Sequence, residues 1–498
     1  MNTTAPFAAA CALLLLAAIP VHADTEQTLG SLLFSDPNLS LRRNQSCASC
    51  HSLVPANGRE TGQPLIAPGF VDPGNVENGS PVSGGSVSGQ FGKLNAPSVG
   101  YAAFSPEFHW DNTRAAYVGG QFWNGRATNL QAQAAMPFLN PAEMAMPSRW
   151  AVVTRLKENA TYRQLFNDVF GINLDDLPAN DLAPATSPPP AGVLAAFDAA
   201  AQTISEFERG ATFNQFTSKF DYWLAGMTSL SANELNGFNL FKKKARCATC
   251  HLSSSGIDRQ GNMIPPLFTD FTYANLGLPR NVSIPGNPAP DPGLGGRAEI
   301  AAASPGGAEL GKHKVMSLRN IALTPPYGHN GVFATLDQIT HFYNTRDVLG
   351  RVAASTDAGF GVIGWPAPEV PQNINTANVG DLGLTQQEEA DVVAFMKTLT
   401  DNYPATGQDP NVPPGTPSPF ANLAIPAIPT RLGLGAPAVI SLTGRLGKYY
   451  RLEFADSLTG TNHWQPFSTN RFGANGMLFP DPTAVLPATR FYRAVQLP

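Results

Sequence analysis

Cys47-Ala48-Ser49-Cys50-His51 and Cys247-Ala248-Thr249-Cys250-His251 set two thiols three positions apart with an imidazole directly behind them, twice in one chain. That spacing reads as covalent attachment of c-type haem. Each thiol adds across one vinyl group on the same edge of a porphyrin. The adjacent imidazole reaches the iron from one face, so the sixth position is decided elsewhere in the chain. Two Cys-x-x-Cys pairs could instead hold zinc, and one pair alone could be a redox disulfide. Neither alternative requires a His behind both pairs. The fifth cysteine, Cys11, lies in the N-terminal segment, so no thiol remains for a structural disulfide.

The elements that must position these motifs are short and widely spaced. Leu29 to Phe34 predicts a small apolar helix ahead of the first motif, and residues 52 to 100 are rich in Gly, Pro, Ser and Asn and read as loop. Helices are expected up to Met136, over Trp150 to Val169 and over Val193 to Phe207, the last opening a second unit after the prolines of 184 to 190. Ser231-Ala232-Asn233-Glu234 is a capping-box signature for the helix that delivers the second motif. Leu336 to Tyr343 and Gln386 to Leu399 read as helices, with loop over 252 to 312. Beyond a Pro/Gly-rich linker, runs such as Tyr449 to Phe454 and Arg490 to Val495 are strand-like.

The expected fold class is mainly α: two cytochrome c-like domains, each with one haem, and a small C-terminal β-sandwich-like domain. The division is a signal peptide at 1–23, cytochrome c domains at 24–190 and 191–402, a linker at 403–429 and a β-rich appendage at 430–498. The 498 residues suffice for several domains, and 43% apolar against 14% charged residues lets them bury real cores. The 46 Gly and 45 Pro imply long irregular connections of the kind that wrap a cofactor. A net charge of −5 offers no basic face for nucleic acid. The apolar run from Phe7 to Ile19 is short for a membrane span, and Val21-His22-Ala23 is a small-x-small cleavage site. Export to the periplasm or beyond is expected, with membrane attachment only if that segment is retained. His463 beside Trp464 reads as a surface pair.

Residues 29 to about 400 resemble the bacterial dihaem cytochrome c peroxidase family, which includes the MauG-type enzymes. The resemblance is carried by Leu29-Gly30-Ser31-Leu32-Leu33-Phe34, Leu94-Asn95-Ala96-Pro97-Ser98 and Gln121 to Arg126. Pro137 to Met144 and Ser317 to Tyr327 carry it further. It implies a peroxide-cleaving N-terminal haem, an electron-relaying C-terminal haem and a calcium ion between them. Carried over by position, His51 and His251 are proximal ligands. The side-chain oxygen of Asn95 and the carbonyls of Thr324 and Pro326 contact calcium, as hard donors should. Trp123 matches the tryptophan between the haems; its plain alternative is a core aromatic. Glu143 and Gln133 fall where the family places a distal carboxylate and amide. A carboxylate there can take a proton from one peroxide oxygen and return it to the other, with the amide orienting the leaving oxygen. Without the resemblance Glu143 would read as a solvated acid at a helix end.

Two positions depart from the common pattern. Members that need reductive activation carry a distal His eight residues before the Asn; here that residue is Val87, and no His occurs from 52 to 108. The first haem is therefore expected to accept peroxide without activation. An excess of roughly a dozen residues before Trp123 contains His109, which is either a substitute ligand or a structural residue between Phe108 and Trp110. Fourteen residues after His329 of Pro326-Tyr327-Gly328-His329-Asn330-Gly331, the usual Met ligand is replaced by Tyr343, as in MauG-type enzymes. A phenolate should stabilise oxidised iron, where a thioether raises the potential; His341 and Met316 stay open as alternatives.

Three functions follow. The first is an exported peroxidase that reduces hydrogen peroxide with electrons from a small c-type cytochrome or cupredoxin. The second is a MauG-like oxidase turning peroxide-derived ferryl chemistry on a protein or organic substrate. The third is a dihaem electron carrier without catalysis. A homodimer stays open.

Overall fold

The computed structural model describes residues 21–180, 188–258, 261–421 and 423, and in the C-terminal part 431–435, 439–443, 448–455, 464–471, 477–480 and 491–497. The expected signal core, Cys11, Pro184 and His463 lie outside the described residues. The chain is mostly helical, with small sheets. Among the described residues no helix is long and apolar enough to cross a membrane.

The first helix, Val21–Ser35, buries Leu29, Leu33 and Phe34, which the 3.6-residue repeat brings to one stripe. It packs along Ala191–Glu208, whose buried residues include Ala195, Ala196 and Ala199 to Ala201. Small side chains allow close approach: a Cβ on Gly30 would lie 2.1 Å from the carbonyl oxygen of Thr203. Phe138, Val152, Phe166, Phe197 and Phe213 complete this core. The helix that sequence reading assigns to the second unit thus belongs to the first. The cores part between Phe213 and Phe220, not at 190, because the apolar face of Ala191–Glu208 has its complement on Val21–Ser35.

The second core gathers Phe220, Phe238, Phe241, Phe268, Phe342, Trp365 and Phe395. Its helix Ala232–Lys242 starts at the expected capping box: Ser231 Oγ accepts from Glu234 N at 3.3 Å, and Glu234 Oε2 from Ser231 N at 2.7 Å. It crosses Gln386–Lys397 at Gly237, where a Cβ would stand 1.8 Å from the Asp391 carbonyl oxygen.

The linker is not a free tether. Tyr222 donates its hydroxyl to the Thr416 carbonyl at 2.9 Å, and Phe420 and Leu423 pack against Tyr101, Phe104 and Phe216. Beyond it stand two three-stranded antiparallel sheets. Tyr449–Ala455 is the middle strand of one, with Tyr450 and Leu452 joining the first helical core. Glu453 is held between Arg451 and Arg493, each at 2.6 Å.

Candidate active site: two haem clefts and the wall between them

In the first half Ser46 leads a single helical turn, Cys47–Cys50. His51 Nδ1 lies 3.2 Å from the carbonyl oxygen of Phe70, a residue at φ +54°. A ring nitrogen held this way leaves Nε2 free to point at a metal, as in ligating histidines whose other nitrogen is fixed by a carbonyl. Burial pushes the Cys47 thiol far up and the Cys50 thiol to about 12. Both thiols feel the charge of Glu143, so that carboxyl is near the motif.

Glu143 sits in the turn after Pro137–Leu139. Burial raises its pKa, opposed by the Arg126 guanidinium and by Asn140, whose Nδ2 donates to Oε1 at 2.5 Å. Gln133, on Leu130–Ala135, has its Oε1 buried without a partner among the described residues, as does Gln45 Oε1. Such atoms cost free energy unless a bound group or water satisfies them. Outside Glu143 opens a cavity of about 690 Å³ lined by Arg126, Asn129, Met136, Asn140, Arg149 and Asp198. Val87 lies in a loop bound to the Glu143 segment, the Ser86 N–H donating to the Glu143 carbonyl at 2.7 Å. His109 is exposed on the Trp110 hairpin with Nδ1 2.8 Å from the Glu107 carbonyl. It is neither packed between its neighbours nor among the residues lining either cleft.

The second half repeats the proximal geometry: His251 Nδ1 lies 2.8 Å from the carbonyl oxygen of Phe268, at φ +52°. Cys247, Cys250, His251, Met316, Tyr343 and Met396 line one deep cleft. Tyr343 is half-buried, facing the cleft rather than bulk water, and burial drives its phenol far up, with the two thiols adding to the shift. His341 is turned away, its Nδ1 bonded to Glu389 at 3.0 Å. Lys314 also lines this cleft. Among the described residues its ammonium donates to Ser105 Oγ at 2.7 Å and to the Gly120 carbonyl and lies 5.5 Å from the Phe271 ring, and burial lowers its pKa to about 7. A buried cation without a counter-charge suits an acidic group such as a porphyrin propionate.

Trp123 stands in the wall between the halves. Its Nε1 donates to the Asn95 carbonyl at 2.8 Å, and its own carbonyl accepts from Lys314 N at 2.8 Å. His329 meets it edge-on at 6.3 Å and stacks on His313 at 3.6 Å. Both imidazoles are buried, with pKa values lowered to about 4, and they hold Glu369 and Asp291. Asn95, Thr324 and Pro326 face the same cleft. Among the described residues no group of three His, Cys, Asp or Glu is arranged to hold a metal, so carbonyl and amide oxygens are the donors on offer there.

Sequence reading missed Arg126, Lys314 and the His313–His329 stack, since nothing in their spacing says which cleft they face. The two Phe carbonyls had a signal: Pro-Gly-Phe and Pro-Leu-Phe follow the two motifs at similar distances.

Over 387 residues the chain is 36% identical to the methylamine utilization protein MauG of Paracoccus denitrificans, covering 76% of this chain and 89% of that protein. It belongs to the dihaem cytochrome c peroxidase/MauG family. Residues 24–229 match the family model described as di-haem cytochrome c peroxidase. Cytochrome c551 peroxidase of Nitrosomonas europaea is 29% identical over 391 residues, 78% of this chain and 83% of that one. The crystal structure of the dihaem peroxidase BthA from Burkholderia thailandensis superposes with a TM-score of 0.60 at 28% identity, covering 79% of this chain and 90% of that one. This dihaem peroxidase family member is therefore a haem enzyme with two haem cofactors, its fold shared with solved dihaem peroxidases. The orphaned Gln133 oxygen in one half and, in the other, the Lys314 ammonium, which has no acidic partner among the described residues, fit such cofactors.

Proposed function

We propose that the protein is an exported peroxidase that reduces hydrogen peroxide in its His51 half. Electrons arrive singly from a small c-type cytochrome or cupredoxin through the His251 half and Trp123. Cys47, Cys50 and His51 would hold one haem covalently, and Cys247, Cys250 and His251 the other. Bound haem iron supplies the redox centre at which the O–O bond is reduced. Glu143 takes a proton from one peroxide oxygen and returns it to the other, so that the second leaves as water. Gln133 Oε1 orients the bound peroxide by accepting a hydrogen bond, and Arg126 keeps enough of the Glu143 population ionised to act as the base. Asn95, Thr324 and Pro326 would bind calcium, bracing the Trp123 wall. The observation that supports this reading is the approach of a partly buried carboxyl, its pKa raised, to the first cysteine pair. Mixing the holoprotein with hydrogen peroxide and reduced cytochrome c tests it: cytochrome oxidation with native protein and its loss with Glu143→Gln are expected. Unchanged peroxide cleavage in the variant would remove Glu143 from the reaction.

A second reading, a MauG-like oxidase acting on a protein or organic substrate, is favoured by Tyr343 lining the His251 cleft and by the likeness to MauG. It expects prompt peroxide consumption with little cytochrome oxidation.

A further inference from the structure

The residues in excess ahead of Trp123 form a hairpin, His109–Asp111 paired with Ala116–Val118. Trp110 is 44% exposed on it, an unusual place for an indole. Its ring meets Tyr117 edge-on at 4.9 Å. Tyr117 lies flat on Phe108, 5.3 Å away and within 6° of parallel, and Phe108 meets the buried Tyr273 edge-on at 6.0 Å. Tyr273 donates its hydroxyl to the Gly119 carbonyl at 2.5 Å, and its strand neighbour Lys314 donates N–H to the Trp123 carbonyl.

Gly125, two residues past Trp123, makes this contact fit. A Cβ there would stand 2.1 Å from the Tyr273 hydroxyl and 2.9 Å from Phe108, and its φ is +67°. Arg297 clamps the same point, lying over Phe108 at 4.1 Å and donating to the Gly125 carbonyl at 2.6 Å. Ring contacts thus run from solvent to the backbone beside the tryptophan that separates the haem clefts.

Building on the second reading above, we propose that Trp110 is a surface port through which a substrate too large for either cleft is oxidised, one electron at a time. The substrate class is a protein presenting an exposed phenol or indole. Hydrogen peroxide is the terminal oxidant. Trp110 gives one electron inward through Tyr117 and Tyr273, with Phe108 as the packed spacer between them, and its indole proton goes to water. It is restored by one electron from the substrate phenol and one proton from water; the phenol loses its proton and is left as a phenoxyl radical. Two such turns per peroxide, with two protons, give two waters.

The test uses holoprotein, hydrogen peroxide and a phenol tethered to dextran, with the free phenol as the small comparison. Trp110→Phe should lose oxidation of the tethered phenol and Trp110→Tyr should keep it, since both fill the space but only tyrosine is readily oxidised. Peroxide consumption with free phenol should be unchanged in both. Peptide mapping after peroxide alone should find added oxygen on Trp110 and little on Trp150, whose indole donates to the Pro178 carbonyl outside the ring contacts. Equal oxidation of tethered phenol by Trp110→Phe and native protein would overturn the port. So would an unmodified Trp110, and the peroxide reading would survive either result. Failure of the native protein to consume peroxide with free phenol would sink both.

Discussion

His51 and His251 each hold Nδ1 against the carbonyl of a phenylalanine at positive φ, and each follows a helix whose glycine lies against a backbone carbonyl of a second helix. A phenylalanine comes four residues after each glycine, Phe34 and Phe241, and both are fully buried. Below the two clefts the architecture is therefore repeated; above them it is not. The first half places a carboxyl and a guanidinium beside an open cavity, with an orphaned amide oxygen on one of the helices that line it. The second places a phenol in a deep cleft, with a buried lysine along its wall. A repeated proximal frame sets where a cofactor attaches, whereas the unshared distal groups set what happens there.

Four measurements would break or sharpen that contrast. Glu143→Gln should slow peroxide cleavage by about a hundredfold or more. In the native protein the rate should rise with pH through the raised Glu143 pKa, because the base form is the deprotonated one; the variant should lose that limb. Tyr343→Phe should leave the cleavage rate alone while shifting the second haem upward by on the order of 100 mV, within the roughly 0.8 V that axial ligands span. A cleavage defect as large as that of Glu143→Gln would erase the division of labour.

Gly30→Ala and Gly237→Ala should each cost about 1–3 kcal/mol, because the added methyl meets backbone that cannot retreat. Chemical denaturation should register both; tolerance of either would mean the helix pairs are not equivalent. A pH-dependent effect concerns Glu208, fully buried near Cys47 with its pKa raised from 4.5 to about 8. Between those values the folded protein holds a proton that the unfolded chain has released, so stability is full below the lower value. It falls as pH rises through the upper one, by at most about 1.4 kcal/mol per pH unit. Glu208→Gln should flatten that slope.

The cysteine spacings, the capping box at Ser231 and the helix delivering the second motif were legible because each depends on neighbours within a few positions. Of the appendage strands, those at Val439–Thr443, Tyr449–Ala455 and Phe491–Gln496 were legible as strand-like runs, whereas Arg431–Gly435, Gln465–Arg471 and Met477–Pro480 were not. The ownership of Ala191–Glu208 was not, since an alanine-rich face matches whichever helix offers a complementary one. Nor was the packing of the linker, which rests on Tyr222 and Phe216 from far upstream.

By itself the sequence determined that a Cys-x-x-Cys-His motif occurs twice, which helix precedes each copy and, through ordered motifs, the family. Tertiary structure alone decided that Glu143 approaches the first thiols, that His341 turns to Glu389 while Tyr343 faces the cleft, and that Trp110 joins a series of rings reaching inward. The reason is range: spacing along a chain governs bonds and turns closed within a few residues. The charge, burial and ring contacts that tune a reactive group come from segments brought together only when the cores close.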